Sequence, residues 1–203
     1  MEIKAKIFIC AFFLLFRMKG IFEIRIHGRG GQGAKTASQF IAEAGMDKGK
    51  YIQAFPEYGP ERAGAPMVAY TRISDNPITT YAPIVNPDVV MVIDPTLIGP
   101  VDVTVGLTKD GKLIVNTNES AEDIRKKTSF KGKIYCVDAT KISIDTVGKN
   151  LPNTPMLGAL IKATGVIELN VITESIKHKF LKKLGEEMTN KTIEGVKRAY
   201  DVL

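Results

Sequence analysis

Phe22-Glu-Ile-Arg-Ile-His27, Gly28-Arg-Gly-Gly-Gln-Gly33 and Ala34-Lys-Thr-Ala-Ser-Gln-Phe-Ile-Ala-Glu-Ala44 follow one another without a break: a strand, a glycine loop, a helix. Gly28, Gly30 and Gly33 match G-x-G-x-x-G in the context that gives the pattern meaning, after a strand and before a helix. Glycines leave no Cβ in the way, so a ligand or another chain can approach the backbone. The free N–H groups of the first helical turn, with the positive end of the helix dipole behind them, favour an anion. Arg29 and Lys35 add charge, Thr36 a hydroxyl, and Gln32 an amide that bonds a ligand or fastens the turn. The alternative is a tight β–α turn whose glycines only permit close packing of helix on sheet.

A dinucleotide site would place an Asp or Glu about 20 residues further on, at the end of the second strand. Here that strand is expected over Tyr51-Ile-Gln-Ala-Phe55, ending in an aromatic and a proline, with Glu57 already in the next loop. A phosphate loop fails as well, because Ala34 intervenes before Lys35-Thr36 and turns the lysine by about 100° around the helix. An independent nucleotide-binding protein therefore stands only as the alternative reading.

Phe55-Pro-Glu-Tyr-Gly-Pro-Glu-Arg-Ala-Gly-Ala-Pro66 is a second dense stretch. Prolines and glycines at this density predict a stiff surface loop. Glu57, Tyr58, Gly59, Glu61 and Arg62 on such a loop read as a ligand or partner site. Its place after the second strand puts it on the carboxyl edge of the sheet, where the glycine loop also lies and where ligands collect.

The remaining chain predicts a single Rossmann-like α/β domain: a mostly parallel sheet flanked by helices, with a hairpin insertion after strand two. Val89–Ile93 is a continuous apolar run ending at Asp94, the pattern of a central strand buried on both faces. Lys112–Asn116 and Lys133–Val137 read as strands around a helix at Ser120–Lys127, and Asp110-Gly-Lys112 as a hairpin turn. Met67–Ile73 is expected to pair with Ile78–Tyr81, and helices are expected over Thr154–Thr164, Thr173–Leu184 and Asn190–Val202. His27 and Asp94 end strands at the same edge. His27 reads as a packed or ligand-facing imidazole, Asp94 as a turn cap or a site residue.

Four blocks in order, GRGGQGAKTASQ at 28–39, YIQAFPEYGPERAGAP at 51–66, NPDVVMVID at 86–94 and NTPMLGAL at 153–160, resemble the gamma subunit of 2-oxoacid:ferredoxin oxidoreductases. The loop Phe-Pro-Glu-Tyr-Gly-Pro-Glu-Arg favours the pyruvate type over those for branched-chain 2-oxoacids or 2-oxoglutarate. The resemblance implies a complex that decarboxylates pyruvate with coenzyme A, reversibly, giving acetyl-CoA and carbon dioxide and reducing ferredoxin. It implies alpha, beta and delta partner subunits, and thiamine diphosphate, magnesium and iron–sulfur clusters held by them. This chain has two cysteines, Cys10 and Cys136, too few and too far apart for a cluster. It also lacks the Gly-Asp-Gly start of the family's thiamine site. Its implied share is to complete the assembly and the coenzyme A region, through Gly28–Gly33 and the second loop, with no catalytic or metal-binding residue of its own.

Composition agrees. With 203 residues, 44% hydrophobic and 25% charged, the chain can bury a sizeable core. Its net charge of +6 is spread out rather than clustered, which argues against nucleic acid. Two cysteines without framework spacing predict a reducing, cytoplasmic setting. Ile7–Phe16 is apolar but too short to span a bilayer. Residues 1–17 are therefore expected to be a non-core extension, with the domain running from Met18 to 203.

Overall fold

The computed structural model describes residues 20–58, without the side chain of Tyr58, and 64–203. The proposed N-terminal extension and Gly59, Glu61 and Arg62 lie outside them. Six strands form one sheet in the order β2-β3-β1-β4-β5-β6. β1 (Ile21–Arg29) sits inside it, antiparallel to β3 (Pro66–Ser74) and parallel to β4 (Val89–Val92). β5 (Lys112–Asn116) and β6 (Lys133–Val137) continue the parallel side, while β2 (Tyr51–Tyr58) is the antiparallel edge.

Alternation along the strands splits the sheet into two unlike faces. Ile24 and Ile26 of β1, Ala69 and Ile73 of β3, and Val89 and Met91 of β4 point to one face and join a single apolar core. Helices α1 (Ala34–Met46), α3 (Ala139–Val147), α4 (Pro155–Thr164) and α5 (Leu169–Asp201) supply the other half of that core. Packing there is close. A Cβ on Gly158 would lie 2.0 Å from the Val196 carbonyl oxygen, so only glycine lets α4 touch the backbone of α5. On the opposite face, Val90, Val92, Leu113 and Val115 meet α2 (Ala121–Thr128) through Ile124 in a smaller core. The rest of that face, over β1, β3 and β2, carries Arg25, His27, Tyr70 and Arg72, all buried.

The predicted strands at 89–93, 112–116 and 133–137 and the helix capped by Ser120 are present, the Ser120 Oγ accepting from the Asp123 N–H at 3.2 Å. Three expectations are corrected. Residues 67–73 pair with β2, so the hairpin is β2–β3, and of the expected loop residues 55–58 belong to β2 and Pro66 to β3, Glu57 lying on a strand. Residues 78–81 form no strand. Gln53 Nε2 donates to the Thr80 carbonyl at 2.9 Å and Arg72 Nη2 to that of Ala82 at 2.7 Å, so side chains take over from a ladder. The turn at Thr108–Gly111 leads into β5, whose partners are parallel, and makes no hairpin. α3 was not foreseen: its Ile, Ser, Thr and Val residues are poor helix formers, but Asp138 caps it, accepting from the Lys141 N–H at 2.8 Å. The last two predicted helices are one run, broken at Gly185 (φ 78°, ψ 171°). Among the described residues no helix is long and apolar enough to cross a membrane.

Candidate functional site

β1, β4, β5 and β6 all end at one edge, and β2 ends there too because two antiparallel pairings restore its direction. This brings the glycine loop against Gly64 and Ala65. Gly30 N–H donates to the Ala65 carbonyl at 2.9 Å, and Gly64 N–H to that of Gly30 at 3.2 Å. Gly64 and Ala65, the described residues just before β3, thus lie at the same edge as the glycine loop.

Asp94, at the end of β4, holds the glycine loop in shape. Its Oδ2 accepts from Arg29 Nε at 3.1 Å and from Gln32 Nε2 at 2.7 Å, while Oδ1 accepts from the Thr96 N–H and hydroxyl. Gln32 Oε1 in turn accepts the Arg29 N–H at 2.8 Å. Burial alone would raise the pKa of Asp94, but the hydrogen bonds from Thr96 and Gln32 and the charge of Arg29 bring it below the ordinary carboxylate range. Arg29 reaches on to the Gly64 carbonyl and the Thr96 hydroxyl. Arg29 and Gln32 are thus committed to fastening the loop, and Asp94 both caps a turn and anchors the edge.

The loop so fastened opens a cleft of about 540 Å³ on the helical face, lined by Gly31, Gly33 and Thr36. Gly33 begins α1 with φ +80°, a conformation that favours glycine, and no side chain caps the helix. Helix N-terminal N–H groups that no side chain caps are donors suited to an anion. Across from them lie Asn153 and Thr154, exposed by only 8% and 6% and without side-chain hydrogen-bond partners among the described residues. A Cβ at position 33 would come 2.6 Å from the Asn153 amide nitrogen, so the loop glycine and the asparagine are fitted to each other. Lys149 and Lys183 stand at the rim, and Phe180, Leu184 and Met188 form an apolar wall where α5 breaks at Gly185. Anion donors beside an apolar wall suit a phosphate joined to a flat, weakly polar ring.

Glu57 lies on the other face of the sheet, away from the cleft. Its Oε2 accepts the Tyr70 hydroxyl at 2.5 Å. Burial, and then this bond, push the Tyr70 pKa up to about 12. His27 lines a separate cavity of about 270 Å³ with Glu57. Burial and the nearby Arg25 push its pKa down to about 4, so it is a neutral imidazole at physiological pH. Sequence reading missed Lys149, Asn153, Thr154 and Lys183 as cleft residues. The 153–160 block reads as helix initiation and Lys183 as part of a solvated helix. Only the fold turns them toward the glycine loop.

The geometry defines an α/β chain with a cleft at the carboxyl edge of its sheet. No group of three or more His, Cys, Asp or Glu suited to a metal occurs among the described residues. The chain belongs to the pyruvate ferredoxin/flavodoxin oxidoreductase family, which its residues 23–202 match. It is 51% identical over 183 residues to the pyruvate synthase subunit PorC of Thermotoga maritima, covering 90% of this chain and 95% of that one. It is 49% identical to the pyruvate/ketoisovalerate oxidoreductases common subunit gamma of Thermococcus kodakarensis, covering 84% and 97%. The crystal structure of the Thermotoga maritima pyruvate oxidoreductase subunit superposes with a TM-score of 0.82 over 90% of this chain and 97% of that one, at 49% identity. The fold also recurs, at 20% identity and a TM-score of 0.74, within 32% of a 2-oxoglutarate:ferredoxin oxidoreductase chain from Magnetococcus marinus, covering 91% of this one.

Proposed function

We propose that this chain is the gamma subunit of a pyruvate:ferredoxin oxidoreductase (pyruvate synthase), and that its glycine-loop cleft takes the phosphate-bearing adenosine end of coenzyme A. The observation that carries the second half is the cleft itself: uncapped helix N–H groups and Asn153, 8% exposed, beside them in a space about the size of a nucleotide. A relative named as common to pyruvate and ketoisovalerate oxidoreductases is nearly as similar as the pyruvate synthase subunit. A chain that serves two oxoacids handles what their reactions share, which points to coenzyme A rather than to the oxoacid. The decarboxylation and electron transfer then belong to thiamine diphosphate, magnesium and iron–sulfur clusters on the alpha, beta and delta subunits, with ferredoxin as the acceptor in the cytoplasm. This subunit supplies binding and orientation, with no catalytic group of its own.

Asn153→Asp tests the cleft in the assembled complex, because it places a carboxylate where an anion is to bind. The KM for coenzyme A should rise at least about tenfold, roughly the effect of losing 1.4 kcal/mol, while the KM for pyruvate and the subunit composition stay as in the wild type. An unchanged KM for coenzyme A in an intact complex removes the ligand from this cleft. Loss of other subunits on Asn153→Asp would assign the glycine loop to a partner chain instead.

A further inference from the structure

The end of the sheet opposite β2 has a chemistry that the cleft reading does not use. β6 is the last strand, with β5 on one side only. Its register with β5, and the bond from the Thr117 N–H to the Val137 carbonyl at 2.9 Å, turn the backbone polar groups of Lys133, Tyr135 and Val137 toward β5. In a parallel ladder the alternate residues face the other way, so Ile134 and Cys136 present their N–H and C=O groups along the open edge. Residues 134–136 are only partly buried, whereas residues 113–116 of β5 are buried.

A groove of about 520 Å³ lies beside that edge, lined by Lys109, Arg125, Lys131 and Lys133. The turn before β6 gathers these cations. Arg125 of α2 donates to the carbonyls of Phe130 and Gly132 at 2.8 and 3.1 Å. Gly132 lies against the Lys109 carbonyl, whose oxygen is 2.7 Å from where a Cβ would stand. Arg125 is spent on this turn and on Glu122. Lys109, Lys131 and Lys133 are exposed and make no ion pair among the described residues, and no Asp or Glu among those residues lines the groove.

We propose that this edge receives an extended acidic segment of an adjoining subunit as a further strand, an inference that rests on the subunit reading above. The backbone groups of Ile134 and Cys136 supply the pairing, and the three lysines choose the partner. Lysines along an edge turn away basic and apolar strands. Asp or Glu on the incoming segment meets them as opposite charge, so the residues that exclude wrong partners also select an acidic one.

The test uses the whole complex, captured through a tag on this chain. The wild type is compared with Lys131→Glu and Lys133→Glu together, and with Lys131→Arg and Lys133→Arg together. Charge reversal should weaken capture of the adjoining subunit at least tenfold, while the arginine pair should capture it as the wild type does. In the wild-type complex the amides of Ile134 and Cys136 should exchange with solvent at least tenfold more slowly than in the reversed variant. Carbodiimide should couple a lysine of the groove to an Asp or Glu of another subunit in the wild type, a product found by mass spectrometry. That result needs no variant, so it decides if the reversed chain does not fold, as judged by its melting curve. Reversed chains that assemble like the wild type, amides of Ile134 and Cys136 that exchange alike in both, or coupling only within this chain overturn the added strand. Such results belong to a lysine edge that only keeps other strands away. A wild-type chain that captures no other subunit instead overturns the subunit reading.

Discussion

The two faces of the sheet solve burial in opposite ways. On the helical face, Ile24, Ile26, Met91 and their neighbours are covered by apolar stripes of four helices, with no charged side chain in the cluster. On the other face, over β1, β3 and β2, two arginines, a histidine and a tyrosine are equally hidden. Their cover is irregular chain, held where Arg72 donates to the Ala82 carbonyl and Arg25 to those of Val103 and Val105. One face gains its stability from area removed from water. The other depends on hydrogen bonds from buried side chains, although Arg25 Nε and His27 Nε2 have no partner among the described residues, so its fit is specific and a loss there is local.

Breaking the helical face should have the largest effect. Gly158→Ala drives a methyl group into the Val196 carbonyl, which backbone cannot yield cheaply. A loss of about 3 kcal/mol or more in urea unfolding is expected, at the top of the usual overpacking range. A cost below about 1 kcal/mol would mean that α4 and α5 are not locked together.

Acid sharpens the comparison, because a titratable imidazole lies buried in the polar face. Burial, then Arg25, lower the pKa of His27 from 6.5 to about 4, so between those values the unfolded chain binds a proton that the folded chain refuses. The contribution is intact above pH 6.5 and is lost as the pH falls toward 4. Wild type should lose up to about 3 kcal/mol of stability across that window through this group, and His27→Leu should lose correspondingly less. Parallel pH curves for the two would remove His27 from the account.

The smallest change should follow from Arg25→Met, which leaves the Val103 and Val105 carbonyls without their donor. A cost of about 1–3 kcal/mol is expected. Faster amide exchange should be confined to residues 101–106, with α1 and α4 unchanged. Faster exchange throughout would show that the two faces are not independent.

Much of this was legible in the sequence because it follows from local pattern. The β1–loop–α1 unit, the buried run at 89–93 and the capped helix at 121–128 each announce themselves within a dozen residues. Pairing was less legible. Nothing in Met67–Ile73 says whether its partner comes before or after it, and the choice was made by Gln53 and Arg72 taking the carbonyls of the 80–82 stretch. The site divided in the same way. The glycines were found from their spacing, whereas Asn153 and Lys183 lie more than a hundred residues away and join the loop only through packing. Glu57 was found as a candidate but faces the other side of the sheet.

Gly158 also has a consequence for how the chain is made. Val196 and Ala199, both at 0% exposure, close the helical core late in the sequence, against helices and strands that precede them. At about 5–20 residues per second, translation needs roughly ten to forty seconds to pass from β1 to that point. For that time the apolar face of the nascent sheet lacks its last wall, and Met156, Leu157 and Leu160, made about 40 residues before Val196, wait roughly two to eight seconds for the backbone of α5. The polar face, completed by residue 105, is not waiting. The exposure of a newborn chain to aggregation is therefore concentrated on the side that becomes the more robust one once α5 docks.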